Sequence, residues 1–216
     1  MTSKNKPARS DEDKQKNLDE IIDAGRELFV KKGTYGFSTR ALAKKIKMTQ
    51  GNLYNYVKSK RELWIAIRSE DMKIFKKRLQ SIADTHEESY ILLFKRMMNF
   101  YLDFARNEYR RFQMMFMVPA PPSDEIGPIE KEYELINPLE VVKNALKKAM
   151  DAGEIRKTDV DQLSYTIYAL IHGATAVERD LLWTDKILEP QPKKSRDPVK
   201  AFRDYLFEQM LKILKS

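Results

Sequence analysis

A short run of polar and aromatic residues, from Gln50 to Val57, carries side chains that can recognise nucleic-acid bases and phosphates. Leu53 and Val57 lie four positions apart, so a helix would bury both on one face. The other notable positions carry amide or phenol groups: Gln50, Asn52, Tyr54, Asn55 and Tyr56. Asn and Gln can form paired hydrogen bonds with adenine, and Tyr hydroxyls can bind phosphates. An ordinary solvated helix face is the alternative, but two tyrosines between basic flanks favour nucleic-acid contact.

Several kinds of chemistry lack the residues they need. The chain has no Cys and two His, His86 and His172. The absence of Cys excludes a disulfide scaffold, an iron–sulfur cluster and a thiol nucleophile, and two His are too few for a typical His-based metal site. No Ser-His-Asp spacing, phosphate-binding loop or dinucleotide fingerprint is present. We therefore predict no enzymatic activity, no cofactor and no metal.

Positive charge is concentrated in the first third of the chain. Residues 1–80 contain 20 Lys and Arg against 10 Asp and Glu, a net charge of +10. Residues 81–216 contain 20 against 22, a net charge of −2. A basic segment on a near-neutral body predicts a polyanionic partner for that segment alone.

The residues around the polar run predict a compact group of helices. A first helix has one buried face, formed by Leu18, Ile21, Ile22, Gly25, Leu28 and Phe29. Gly33 can end this helix in the left-handed conformation. Ser38 is a predicted N-cap for a second helix, which a tight break at residues 47–49 would separate from the polar run. Ser59 and Glu62 form a predicted capping box that opens a long helix.

The remainder of the chain also has helical patterns. Only 7 Gly and 9 Pro occur in the chain, which leaves long stretches without helix breakers. Further helices are expected over residues 88–107, 109–117, 129–151, 158–182 and from Asp197 onward, with Pro138 kinking or splitting the third of these. The sequence therefore predicts an all-α fold of about nine helices.

The segment FSTRALAKKIKMTQGNLYNYVKSKREL resembles the DNA-binding signature of the TetR family of transcriptional regulators. The preceding IIDAGRELFVKKG fits the spacing of that family's first helix. The resemblance covers about residues 18–66 and rests on about a dozen positions in register. There are two departures: Lys47 stands where the family usually has Gly, and Val57 where it usually has Phe. A left-handed Lys is somewhat strained, so the turn is expected to differ slightly.

The resemblance implies a DNA-contact role for eleven residues. The start of the second helix would contact phosphates and sometimes a base, and the start of the recognition helix would face the major groove. The tyrosines and the lysine at the end of the motif would bind phosphates. The implied set is Ser38, Thr39, Arg40, Thr49, Gln50, Gly51, Asn52, Tyr54, Asn55, Tyr56 and Lys60.

The resemblance also implies a division of the chain. Residues 14–60 are expected to form the helix-turn-helix DNA-binding domain and residues 61–216 a helical bundle for ligand binding and dimerisation. The polar composition of residues 1–13 separately predicts a disordered basic tail. Residues 168–173 are similar to a Trp-x-x-x-His-Gly stretch in one group of these domains. Aromatic and Met side chains in such a bundle are mostly core, but some can line an apolar pocket. The candidate pocket residues are Met98, Tyr101, Phe104, Met115, Tyr168 and His172.

These features predict a ligand-responsive regulator that binds double-stranded DNA as a homodimer through its last two helices. Most simply it is a repressor of a palindromic operator, released when a small hydrophobic or amphipathic effector shifts the long helix 60–83. The alternatives are a DNA-coating protein without a ligand, an activator of the same fold, or an enzyme or carrier for apolar ligands, which lacks supporting motifs. No apolar run approaches the ~20 residues needed to span a membrane, and no secretory h-region is present, so a cytoplasmic protein is expected.

Overall fold

The computed structural model describes residues 11–187 and 197–215, and all regular secondary structure within them is helical. The helices are α1 (Asp11–Gly36), α2 (Thr39–Lys45), α3 (Gln50–Leu53), α4 (Lys60–Asp84), α5 (Tyr90–Asn107), α6 (Tyr109–Phe112), α7 (Pro128–Lys131), α8 (Leu139–Asp151), α9 (Val160–Ile187) and α10 (Pro198–Lys215), with a π-helical segment at Gln113–Met117. The predicted all-α fold is confirmed. An additional helix arises because the expected helix 129–151 is split before Leu139, where Pro138 caps α8.

The chain divides into two compact units. The first unit contains Met1–Asp71 and Gln113–Leu135, and the second contains Met72–Phe112 and Ile136–Ser216. Helix α4 therefore contributes residues to both units, and the chain passes between them three times. The expected division into functional domains at residue 60 stays a prediction, since these units are defined by contacts.

The first unit has a core built from α1, α2, α3 and the start of α4. Ile21, Leu42, Leu53 and Leu63 are completely buried, and Met114 from the second chain segment joins the same cluster. Because each helix presents one apolar stripe, the short helices α2 and α3 gain most of their stability from this shared core.

Helix α1 begins earlier than expected. Asp11, Glu12 and Asp13, which the sequence analysis assigned to the tail, form its first turn, where negative charge is favourable. The rest of the predicted tail, residues 1–10, lies outside the described residues. Gly33 has the positive φ expected of it, 72°, but its ψ is 175°, and it kinks α1, which continues to Gly36, instead of ending the helix.

The second unit packs α5, α8, α9 and α10 around a separate core. Leu102, Leu146 and Met210 are among its fully buried side chains. The Arg203 guanidinium donates to both carboxylate oxygens of buried Glu178, at 2.7 Å each. This paired geometry satisfies a charge that would otherwise be costly to bury. None of the helices described is long and apolar enough to cross a membrane.

Candidate functional site

Helix α2 begins at a side-chain cap. The Ser38 hydroxyl accepts a hydrogen bond from the Ala41 amide at 3.2 Å, as predicted. The first turn then presents half-buried Thr39 and exposed Arg40, while Leu42 holds the opposite face in the core. The cap thus fixes the start of α2 and with it the positions of Thr39 and Arg40, which are predicted to contact DNA.

The turn between α2 and α3 depends on Lys47. Its φ is 53°, and it is the one non-glycine residue with positive φ in residues 11–187 and 197–215. The Lys47 amide donates to the Lys44 carbonyl at 3.3 Å, and the Met48 amide donates to the Ala43 carbonyl at 2.9 Å. This is the bonding pattern of a helix end closed by a left-handed residue. The turn that the sequence predicted therefore forms without glycine.

Helix α3 is shorter than the sequence predicted. The Thr49 hydroxyl accepts from the Asn52 amide at 3.1 Å and caps the helix. The helix ends at Leu53, whereas the prediction extended it to Val57. Beyond Leu53 the bonding tightens, because the Tyr56 amide donates to the Leu53 carbonyl three residues back, at 3.0 Å. We refer to residues 54–58 as the contact turn.

The polar face of this motif is accessible. Gln50, Gly51, Tyr54 and Asn55 are exposed, whereas Asn52 and Tyr56 are half-buried. Leu53 and Val57 are completely buried, which confirms that the motif is anchored on that face.

A hydrogen bond joins α2 to the contact turn. The hydroxyls of Thr39 and Tyr54 lie 3.3 Å apart, although the two residues are 15 positions apart in sequence. The Lys58 ammonium donates to the Tyr54 carbonyl at 3.1 Å. Lys58 was not among the predicted site residues, and its basic side chain two positions before Lys60 was the available signal. These bonds bring two predicted phosphate contacts together and order the contact turn.

Lys60 is the first residue of α4 and is half-buried. Its ammonium lies 5.7 Å from the centroid of the Phe37 ring. Partial burial lowers the pKa of Lys60 below its usual value. A partly desolvated cation beside an aromatic ring is suited to meet a phosphate, because less water must be removed when they meet.

The second unit contains a polar-edged pocket of about 250 Å³, here called the upper pocket. Apolar side chains and two arginines contribute to its wall. The lining residues are Leu102, Ala105, Arg106, Tyr109, Thr175, Glu178, Arg179 and Leu182. The Arg179 guanidinium donates to the Tyr109 hydroxyl at 2.7 Å, and an Arg106 nitrogen lies 3.8 Å from the Glu178 carboxylate.

A smaller apolar pocket of about 60 Å³ also lies in the second unit. Of the predicted pocket residues, it is lined by Met98, Tyr101 and Tyr168. Phe104 is buried against Phe75. Met115 belongs to the first unit, where it is buried. Sequence reasoning missed Arg106 and Arg179 of the upper pocket, because solvated arginines on helices give no distinguishing signal.

His172 bonds to a side chain. The Tyr101 hydroxyl and His172 Nδ1 lie 2.8 Å apart. Burial raises the pKa of Tyr101 well above its usual range, and burial lowers the pKa of His172. These two pKa shifts favour a hydrogen bond in which the Tyr101 phenol donates to a neutral His172 imidazole. His172 does not line either of the two pockets described here.

Residues 21–67 match the family model described as bacterial regulatory proteins, tetR family. This stretch contains α2, α3 and the start of α4, the elements that build the motif. Among curated proteins, none matches the sequence of this chain.

Solved structures share the fold over nearly the whole chain. A TetR-family transcriptional regulator from Pectobacterium atrosepticum has a TM-score of 0.60 and 17% identity, covering 95% of this chain and 94% of that one. A TetR/AcrR-family regulator from Thermobifida fusca YX-ER1 has a TM-score of 0.58 and 19% identity, covering 93% and 100%. The transcriptional regulator FadR from Bacillus subtilis, solved in complex with stearoyl-CoA, has a TM-score of 0.62 and 16% identity, covering 89% and 96%.

The two kinds of comparison support each other. The family match covers the helix-turn-helix, and the structural matches extend the likeness in fold to the remaining helices. Regulators of this family are non-enzymatic DNA-binding proteins, in agreement with the prediction from motifs. Residues 21–67 are therefore similar to the tetR family of bacterial regulatory proteins, and the chain shares its fold with solved regulators of that family.

Proposed function

We propose that this protein is a ligand-responsive repressor that binds a palindromic operator as a homodimer and is released by a small hydrophobic or amphipathic effector. The observation that carries the proposal is the helix-turn-helix, with two side-chain caps, a buried rear face and an exposed polar front. A recognition element needs this division between anchor and readout. Its action on DNA would take place in the cytoplasm.

The predicted contact residues divide by chemistry. Gln50 and Asn52, at the start of α3, carry the amides that can pair with adenine in the major groove. Asn55 would reach bases or backbone, and Gly51 would allow close approach. The remaining predicted contacts would bind phosphates, with Tyr56 also able to reach a base and the start of α2 contacting an occasional one. These are Ser38, Thr39, Arg40, Thr49, Tyr54, Tyr56 and Lys60.

An exposed apolar surface on the last two helices supports a dimer. Leu170 and Val177 lie seven residues apart on α9, with exposed fractions of 37% and 45%. Tyr205 on α10 is 61% exposed. Residues seven apart share a helix face, so these two side chains form an exposed apolar stripe on α9. A second copy would cover this stripe, and a two-fold dimer would read two half-sites.

The effector would bind in the second unit. The upper pocket combines apolar walls with the polar groups of Tyr109, Arg106 and Arg179, which suits an amphipathic molecule. Its volume is slightly below the ~300–1,000 Å³ of ordinary ligand sites, so it would hold a small effector or one part of a larger one. The bound stearoyl-CoA in Bacillus subtilis FadR makes acyl compounds the first class to test.

Helix α4 offers one route for the response. Its residues 60–71 belong to the first unit and its residues 72–84 to the second. An effector that binds one conformation of the second unit more tightly would shift the population of DNA-binding conformations through this shared helix.

The direct test is selection of genomic fragments by the purified protein at about 150 mM salt, followed by footprinting. The proposal expects a palindrome protected on both half-sites, and an effector found by mass spectrometry of extracted protein should release it. Binding without an enriched sequence, by protein freed of ligand, would point to DNA coating. A reporter gene distinguishes repression from activation.

A further inference from the structure

A carboxylate is fully buried beside the contact turn. Glu62 lies in the first turn of α4, and none of its surface is exposed. Its Oε2 atom accepts from the Lys58 amide at 2.5 Å, and its Oε1 atom accepts from the Ile129 amide at 2.7 Å. A buried charge is costly unless hydrogen bonds satisfy it, so the two bonds compensate for burial. They also join two backbone positions that are distant in sequence.

Gly127 provides the space for this carboxylate. A Cβ atom at position 127 would lie 1.9–2.1 Å from three atoms of the Glu62 carboxyl group. The backbone there has φ −86°, which any residue can adopt. Glycine is therefore required at this position for close approach rather than for conformation. We call Glu62, Gly127 and the two amides the carboxylate clamp.

Two arginines also bind the same chain segment, residues 113–135, to α4. The Arg61 guanidinium donates to Glu130 at 2.5 Å. The Arg68 guanidinium donates to the Met115 carbonyl at 3.0 Å and to the Tyr133 hydroxyl at 2.9 Å. The segment is thus held along the first three turns of α4.

The clamp acts on the backbone of the contact turn itself. Lys58 ends that turn, and its side chain bonds to the Tyr54 carbonyl. A shift of the Lys58 amide would move the segment between Tyr54 and Lys60, both predicted to contact phosphates. Phosphate binding by fixed side chains is sensitive to such shifts, because each contact requires hydrogen-bond distance.

We propose that Glu62 is a positioning residue for DNA binding, whose carboxylate sets the geometry of the contact turn against residues 127–131. The inference rests on the proposed DNA-binding function. Segment 113–135 is covalently continuous with the second unit at both ends, and the clamp joins this segment to the contact turn by hydrogen bonds.

The substitution Glu62→Gln distinguishes a positioning role of the Glu62 carboxylate from an effect of its negative charge. Glutamine has one acceptor oxygen and an NH₂ group in place of the second acceptor. One of the two backbone amides, which are themselves donors, would therefore face a donor and lose its hydrogen bond. The change also removes a negative charge near the DNA site, which by electrostatics alone would strengthen binding. A positioning role predicts the opposite sign, a weakening of about tenfold or more.

The experiment compares wild-type protein with Glu62→Gln, Gly127→Ala and the control Glu132→Gln, which removes an exposed carboxylate from the same segment. Each full-length variant is titrated against the site that wild-type protein selects, below its own unfolding temperature. We expect weak binding by the first two variants and wild-type or tighter binding by the control. Wild-type affinity in folded Glu62→Gln would overturn the inference while leaving the proposed function intact. Failure of wild-type protein to select any site would instead count against the proposed function.

Hydrogen exchange of wild-type protein supplies a measurement that does not depend on variants. If the clamp positions the contact turn, DNA should slow exchange of the Lys58 and Ile129 amides together. Protection of Lys58 with unchanged exchange at Ile129 would overturn the inference.

Discussion

At the scale of single residues, Gln50 is the side chain best placed to test base reading. It is exposed in the first turn of α3, directly after the Thr49 cap. Gln50→Ala should relax base preference at one operator position by ~1–3 kcal/mol, because a paired contact with a base is lost. Binding to operator variants changed at each position measures this. Gln15→Ala, an exposed glutamine of α1, is the control. Unchanged preference at every position would remove Gln50 from the base-reading set.

Lys60 should behave differently, because a phosphate contact carries no sequence information. Lys60→Ala should weaken binding to all sequences alike and reduce the slope of log K against log salt by about 1. Tyr54→Ala should also weaken binding uniformly, with a smaller effect on the slope. Lys147→Ala, an exposed lysine of α8, serves as the control. A slope equal to that of wild-type protein would show that Lys60 makes no phosphate contact.

Local chemistry was predictable for individual residues, and distant partners were not. The cap at Ser38 follows from residue type and position, and a left-handed Lys47 was expected because the TetR family usually has Gly there. The Thr49 cap was not predicted. Glu62 was predicted to complete a capping box with Ser59, whose hydroxyl does accept from the Glu62 amide at 3.0 Å. Its carboxylate, however, bonds to an amide 67 residues away. No periodicity or motif in a single sequence indicates such a contact.

At the scale of elements, the stripe on α9 predicts the assembly state. Val177→Glu should convert a dimer into a monomer, because a second copy would have to bury the added charge. Light scattering after size-exclusion chromatography should then give 25.4 kDa instead of twice that mass. Leu92→Glu, on the exposed part of α5, is the matched control. A variant that remains dimeric would exclude this stripe from the interface.

Helices that contain many apolar residues were predicted correctly, but the residues at which helices end were predicted less accurately. The many apolar residues of α5 and the Asp197 cap of α10 were sufficient to place those helices. Helix α3 was predicted too long, because Leu53 and Val57 both enter the core whether the chain between them is helical or tightly turned. Tertiary burial at both ends decides this case, and a four-residue spacing alone cannot.

At the scale of the whole molecule, a two-fold dimer fixes the spacing of its half-sites. Inserting about 5 bp between the two half-sites of the operator should place them on opposite faces of the duplex. Affinity should fall toward that of one half-site, a loss of about 10²–10⁴-fold in avidity. Gel-shift titrations with the natural and lengthened operators measure this. Equal affinity for both would indicate that each chain binds alone.

The pocket is the part of the molecule that the sequence indicated least well. Met98, Tyr101 and Tyr168 line the smaller pocket, but their chemistry does not distinguish them from core residues such as Phe104. Which aromatic side chain borders a space depends on how α5 and α9 pack, and that is a property of the assembled unit.

The discontinuity of the first unit has a consequence for how the protein is made. Its core includes Met114, and its clamp includes Ile129, so a nascent chain that ends at residue 71 lacks both. At ordinary translation speeds the ribosome needs on the order of several seconds to add the missing segment. During that interval Glu62 has no Ile129 amide to bond. The first unit, although its synthesis begins first, is therefore completed only after residues 72–112 of the second unit have been synthesised.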